Sequence, residues 1–415
     1  MLKPAARRFD ALGLSGRKGL VAAVSGGSDS LALLMLLTEA RQPSRVPIIA
    51  VTVDHGLRPE AADEARFVGA ICNRLGIRHR TMNWEGAKPA TGLAEAARAA
   101  RYRLLVQAAD EAGADTILTG HTLDDQAETV AMRAERGEGR GLAGMAETSL
   151  LFGRVWLRRP LLGIRREDLR VFLQDRGVAW IDDPSNENVA AERVRWRRTL
   201  AQMPGEAERL TALAAQANED RRALGRAAAA TIAPATLVSP GLAMLPADMI
   251  EPREANVYAL RILLATMGGT DQLSDTEATL ALMQRLAGGG RSGTLARTLV
   301  ERRNSGLYLC RESRDLPLPQ TLTGDALWDG RFRLPEGAAP ARIEATGAER
   351  AAALAAGIEA EPRRLVASAL AAEPLAGAER AVSPWARLLP GFDIEAHDAA
   401  ARLIGARPAS PNPRP

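Results

Sequence analysis

The chain has 415 residues, 46% of them hydrophobic, and carries 54 Lys and Arg against 50 Asp and Glu. Such a length supports two or three domains with sizeable cores, and the mild basic surplus admits nucleic acid as a partner without demanding it. Cys72 and Cys310 lie far apart with no Cys-x-x-Cys, which excludes a disulfide framework and a cysteine-bound zinc or iron–sulfur site. No run approaches the ~20 apolar residues of a bilayer span, and Met1–Asp10 has no apolar signal region. The expectation is a soluble, cytoplasmic protein.

Strand signals fall at Gly19–Val24, Pro47–Asp54, Arg78–Met82 and Thr116–Gly120, with helical stretches at Ser30–Ala40, Ala61–Leu75 and Leu93–Ala112 between them. This alternation predicts an α/β fold, a parallel sheet with helices on both faces, whose ligands sit beyond the carboxyl ends of the strands. The first strand runs into Ser25-Gly26-Gly27-Ser28-Asp29-Ser30 and then an apolar helix. Glycines let backbone N–H groups approach an anion, a helix N-terminus attracts it, and the three hydroxyls donate to phosphate oxygens. Asp29 suits magnesium. A Walker A loop needs a Lys before its last Ser or Thr, and none is present, so the loop suits a pyrophosphate. The bland reading is a Ser/Gly cap on a buried helix. Asp54 and His55 end the second strand on the same rim.

After the fourth strand comes His121-Thr122-Leu123-Asp124-Asp125-Gln126-Ala127-Glu128-Thr129. On a helix from Thr122, Asp125 and Glu128 share a face and can orient an amine or accept its proton. Thr122-x-x-Asp125 is equally a capping box. Arg98 and Arg101, also on one helical face, can grip a phosphate, although a solvated basic face is commoner. His55 and His121 are too isolated for a metal triad and read as local contacts near a nucleotide. From Thr122 to Arg198 the chain reads as helical, with 14 Arg against 10 acidic residues between Ala131 and Leu200. Asp182-Asp183-Pro184-Ser185-Asn186 predicts a turn, and Arg193, Arg195, Arg197 and Arg198 flank Trp196, either beside a base or around a core indole.

Residues 206 to about 285 read as helices. A hairpin is expected from Thr294–Glu301 and Leu307–Arg311 about Asn304-Ser305-Gly306, continued by Leu327–Phe332. The Ala-rich stretch after Ala338 reads as helical. The domain boundaries drawn from these shifts are 1–130, 131–205, 206–290, 291–407 and a disordered tail at 408–415.

Ser25–Ser30 matches the PP-loop of N-type ATP pyrophosphatases. Together with Val53–Arg58, Ala97-Arg98, Arg101-Tyr102, His121–Thr129, Arg136-Gly137 through Gly144-Met145, Arg159–Leu162 and Asp183–Asn186, it resembles the tRNA(Ile)-lysidine synthase family over residues 19–200. The resemblance implies a Rossmann-type PP-loop ATPase domain at 1–130, an Arg-rich completion at 131–205 contacting the anticodon loop, a helical linker at 206–290 and a small α+β domain at 291–407 that meets the tRNA body. It implies ATP-dependent adenylation of the wobble cytidine of tRNA(Ile) with a CAU anticodon, then attack by the ε-amine of free L-lysine, giving AMP and pyrophosphate.

By the same resemblance Ser25, Gly26, Gly27, Ser28, Asp29, Ser30, Asp54 and His55 hold ATP, and Asp29 holds Mg2+. Asp125 and Glu128 serve the lysine amine, Asp125 foremost, and Arg98 and Arg195 (or Arg193) neutralise the activated cytidine. A homodimer is admitted. Rival readings are a PP-loop tRNA thiolase, which calls for a reactive or cluster-binding cysteine, and a non-catalytic adenine-nucleotide sensor, which has no use for the acidic helix start.

Overall fold

The computed structural model describes residue 9 and residues 17–40, 46–137, 139–182, 191–375 and 377–409. Two compact units are present, one running to Glu219 and the other spanning Asp220–Ala409. The turn expected at 183–186 lies outside the described residues, as does most of the expected tail.

In the first unit, β1 (Leu20–Ala23) leads into α1 (Ser28–Ala40), β2 (Ile48–Asp54) into α2 (Ala61–Arg74), and β3 (Arg78–Asn83) into α3 (Leu93–Ala112). β4 (Thr116–Thr119) then feeds α4 (Leu123–Glu135), followed by the hairpin β5 (Thr148–Leu151) and β6 (Val155–Arg158). Two helices close the series, α5 (Arg166–Gln174) and α6 (Glu192–Ala201), and α7 (Glu206–Ile232) carries the chain from the first unit into the second. The strands run in the order β5-β6-β4-β1-β2-β3. β1 is parallel to both β2 and β4, β3 joins β2 and β6 joins β4 in the same sense, and β5 alone is antiparallel. Leu20–Ala22 and Thr116–Thr119 are buried, as befits central parallel strands covered on both faces. Leu31, Leu33, Leu34 and Leu37 of α1 pack in that core with Leu169, Phe172 and Leu173 of α5.

The α/β architecture and the parallel strands are as the sequence implies, within a residue or two at each end. The stretch from Thr122 to Arg198 is not all helical, because β5 and β6 interrupt it. Their apolar runs, Leu150-Leu151 and Val155-Trp156-Leu157, are short and buried. The turn between them uses Phe152 (φ 49°) and Gly153 (φ 75°), a pairing with no strong hairpin signature. Trp196 is a packing residue: it leans on the cluster of Ala127, Val130, Leu210 and Ala214, and its Nε1 donates to Glu135 at 3.1 Å.

In the second unit, β7 (Thr236–Ser239) and β8 (Leu242–Leu245) form a hairpin inside the region read as helical, turning at Pro240-Gly241. Two helices follow, α8 (Glu254–Gly268) and α9 (Thr276–Ala287). The expected strand Thr294–Glu301 is two strands, β9 (Ser292–Leu295) and β10 (Thr298–Arg303), joined at Ala296 (φ 48°) and Arg297 (φ 62°). That turn places both central residues in the left-handed region without the usual Asn or Gly, so its residues do not announce it. β10 pairs with β11 (Gly306–Arg311) about Asn304-Ser305, as expected, in a sheet ordered β7-β8-β11-β10-β9.

The remaining elements are β12 (Gln320–Leu322), β13 (Phe332–Arg333), β14 (Ala341–Ile343), α10 (Ala348–Ala356), α11 (Arg363–Ala371), β15 (Glu379–Arg380), β16 (Leu388–Pro390) and α12 (Ile394–Ile404). The Ala-rich stretch is therefore helical at α10 and α11 with short strands on either side. Trp328–Phe332 is a tight turn around buried Asp329, which accepts from Arg311 at 3.1 Å and Arg331 at 2.8 Å and also pairs with Arg297.

Candidate active site

The carboxyl edge of the first unit's sheet gathers the loop after β1, Asp54-His55 after β2 and His121 after β4. The loop is tied by its own hydroxyls. Ser30 Oγ donates to Gly27 O at 2.9 Å and accepts from Ser25 N at 3.2 Å, so the start of α1 folds back on the glycines. Gly26 sits at φ 93°, and a Cβ there would meet Ile181 at 3.0 Å. Gly120 gives β4 close access to this turn. A Cβ on it would lie 2.7 Å from Asp29 O and 3.0 Å from Ser30 N, both rigid backbone atoms. Gly120→Ala should therefore spread the loop and cost about 1–3 kcal/mol. The expected result is a lower melting temperature, read by calorimetry, and, where the loop holds ATP as its residues lead one to expect, an ATP Kd raised about tenfold; unchanged ATP affinity would count against that role.

Asp54 Oδ1 accepts from Gly56 N at 2.7 Å, fixing the turn after β2. His55 packs its ring edge-on to Trp84 with centroids 5.9 Å apart, and burial, then Arg101, pull its pKa below the usual value. At the end of β4, Thr119 Oγ1 and His121 Nδ1 share a hydrogen bond of 2.9 Å.

Thr122 caps α4, and the capping box is real: Asp125 N donates to Thr122 Oγ1 at 3.3 Å, and Thr122 N donates to Asp125 Oδ2 at 2.8 Å. The same Asp125 turns its other oxygen to Arg166. The capping box expected from the sequence is therefore present, and the carboxylate oxygen outside it is engaged by an arginine. Arg166, at the first turn of α5, donates through Nε to Asp29 at 2.8 Å and through Nη2 to Asp125 at 2.9 Å, and its Nη1 lies 3.8 Å from Glu128. Asp29, Asp125 and Glu128, drawn from two helices, thereby converge on one guanidinium.

The electrostatics of the two aspartates differ. Burial pushes Asp29 above its ordinary pKa, and Arg166 only partly offsets it. Burial acts the same way on Asp125, but Arg166, Arg193 and His121 together hold it below the ordinary range. Glu128 is 1% exposed and paired to Arg193 at 2.8 Å and Arg197 at 2.7 Å.

The structure brings together Asp29, Asp125 and Glu128, each singled out from the sequence, around a hub that sequence reasoning misses. Arg166 carries a signal in hindsight: an arginine at a helix start opposes the helix dipole and needs acidic company. Arg193 and Arg197 reach the carboxylates, whereas Arg195 is exposed on another side of α6. Arg98 lies exposed on α3, its guanidinium 5.1 Å from the Tyr102 ring centre. Among the described residues no group of three or more His, Cys, Asp or Glu side chains is placed to hold a metal ion alone.

Residues 1–203 match the PP-loop domain family. The chain is 45% identical to the tRNA(Ile)-lysidine synthase of Mesorhizobium japonicum, over 95% of this chain and 94% of that one. It is 40% identical to the enzyme of the same name from Rhizobium meliloti, over 96% and 94%. Among solved structures, the U34-tRNA thiolase NcsA of Methanococcus maripaludis is 20% identical with a TM-score of 0.45, covering 52% of this chain and 78% of that one. Likeness to the synthases extends through both compact units, and the chain belongs to the tRNA(Ile)-lysidine synthase family.

Proposed function

We propose that this chain joins free L-lysine to C2 of the wobble cytidine of tRNA(Ile) bearing a CAU anticodon, through an adenylated cytidine, releasing pyrophosphate and then AMP. The observation that carries the reading is the convergence of Asp29, Asp125 and Glu128 at the carboxyl edge of the PP-loop sheet. ATP lies with its phosphates on Ser25–Ser30, where backbone N–H groups and the dipole of α1 stabilise the departing pyrophosphate; Asp54 and His55 border the nucleotide.

Mg2+ fits this donor set although the protein offers it one carboxylate. Magnesium usually takes one or two carboxylates and completes its shell with substrate phosphates and water. Asp29 is the residue to hold it, steadied by Ser28 Oγ at 3.1 Å. When bound, the ion neutralises charge developing on the pyrophosphate.

Lysine's ε-amine has a reference pKa of ~10.4 and attacks only after losing a proton. Asp125, kept ionised by its arginines, binds the ammonium and receives that proton. Glu128 stands behind it, holding Arg193 and Arg197 in place. Arg98 neutralises the activated cytidine together with Arg193, the one of the pair Arg193 and Arg195 that reaches the carboxylates. The reaction belongs in the cytoplasm, with its tRNA; among the described residues no helix is long and apolar enough to cross a membrane.

The thiolase reading loses ground on its cysteines. Both are buried, which pushes Cys72 up to about 11 and Cys310 up to about 12, and a thiol so raised is a poor sulfur carrier. The test is incubation with ATP, labelled lysine and a CAU-anticodon tRNA(Ile). Lysine incorporated stoichiometrically with AMP and pyrophosphate is expected; its absence with intact ATP binding overturns the proposal.

A further inference from the structure

Beside the carboxylates stands a group of arginines with no acidic partner among the described residues. On α3, the Arg98 and Arg101 guanidinium carbons lie 5.1 and 5.5 Å from the Tyr102 ring centre. Arg159, just beyond β6, is 2% exposed, and its Nη1 donates to Ala146 O at 2.6 Å and Ser149 Oγ at 3.2 Å. The Nε atoms of Arg101 and Arg159 are both buried without a hydrogen-bond acceptor. The groups acting on Arg98 are the Tyr102 phenol and the cations Arg101, Arg159 and Arg193.

Tyr102, 6% exposed, registers the resulting field. Burial by itself pushes its phenol up, yet Arg159, Arg98 and Arg101 together bring it down to about 8. Buried positive charge that lacks a counter-charge is expensive, and an N–H without an acceptor adds to the penalty. An anion arriving from outside removes both penalties. Guanidinium forks match the oxygens of a phosphate in particular.

The position narrows the choice of anion. His121 feels Arg159, Asp125, Arg101 and Arg98, so the arginines and the lysine-binding carboxylate flank the same residue. The phosphates of ATP have their own seat on the loop after β1. Arg98 is exposed and Arg101 half-buried, so the arginines reach the surface, as suits a polymer backbone crossing it.

We propose that Arg101 and Arg159, braced by Tyr102, form a seat for an RNA phosphodiester adjoining the reacting cytidine. This rests on the lysidine-synthase reading for the identity of the RNA.

The test uses the full chain and a tRNA(Ile) anticodon stem-loop, unmodified or with neutral methylphosphonate linkages on either side of the wobble cytidine, with binding measured without turnover. In the parent, one neutral linkage should weaken binding about tenfold, the worth of a charge-assisted hydrogen bond. Arg101→Gln and Arg159→Gln should weaken the unmodified stem-loop similarly and abolish the sensitivity to that linkage. The salt slope of Arg101→Gln should fall by about 0.7, the value for one single-strand phosphate.

Undiminished sensitivity to the linkage in Arg101→Gln overturns the proposal. So does a rise in lysine KM with lost preference for lysine over lysinamide, which makes the seat one for the lysine carboxylate, or a weakening confined to ATP. Should Arg159→Gln fail to fold, Arg101→Gln keeps the test intact, because Arg101 is only half-buried. Stem-loop binding that follows these expectations without lysidine formation would sink the proposed function and leave the seat standing.

Discussion

Asp125→Asn is expected to lower lysine transfer by about 10³-fold while leaving cytidine adenylation within a few-fold of the parent. The magnitude lies within the 10²–10⁴ range for removal of a positioned acid–base group. Asparagine is nearly isosteric and keeps an oxygen to accept from Thr122 N, so the cap of α4 survives the change, while its amide N–H replaces the oxygen that accepts from Arg166. What disappears is the negative charge that attracts the ammonium and the basic oxygen that takes its proton. Single-turnover measurements separate the steps: pyrophosphate release reports adenylation, and lysine incorporation reports attack. Equal loss in both would make Asp125 a structural residue of the rim, and equal turnover of mutant and parent would remove it from the chemistry.

Acid dependence supplies a second readout of the same group. Because Asp125 is held below the ordinary carboxylate range, its contribution to stability is complete above the unfolded-state value of ~3.9 and is lost as pH falls through its lower folded value. Asp125→Asn should therefore flatten the acid limb of the stability profile. Asp29 has the opposite sign: its raised pKa makes it the first of the pair to protonate as pH falls.

The sheet edge is legible in the residues because each part of it is local. A buried strand, a Gly/Ser turn and a helix start are contiguous from Leu20 to Ala40, and a capping box is four residues long. The hub escapes for the reverse reason. Arg166 is 137 residues from Asp29 and 41 from Asp125, and no spacing rule joins them. The same limit hides β5–β6 and the β9–β10 turn, whose strands are short and whose turn residues (Phe152, Ala296 and Arg297) reach the left-handed region through tertiary context. Arg193 and Arg195 share a helix and a charge, and only the packing of α6 on α4 decides which of them turns to Glu128.

Glu128 is where that packing is most exposed to test. Its carboxylate is 1% exposed and joins α4 to α6 through Arg193 and Arg197, whose side chains remain 37% and 31% exposed. Removing one partner of a buried pair costs about 3–5 kcal/mol. The lower end applies to Glu128→Ala, since both arginines can turn to water. A loss of about 3 kcal/mol corresponds to a melting temperature lower by about 6–12 °C for a unit of this size. Glu128→Gln keeps the shape but sets an amide N–H against a guanidinium, and should recover only part of that loss. Calorimetry of the two variants decides whether Glu128 ties the helices together. If it binds the lysine ammonium directly, Glu128→Gln raises lysine KM with the melting temperature unchanged. If it positions Arg193 and Arg197, stability and stem-loop affinity fall together while lysine KM holds, because the ammonium still meets Asp125.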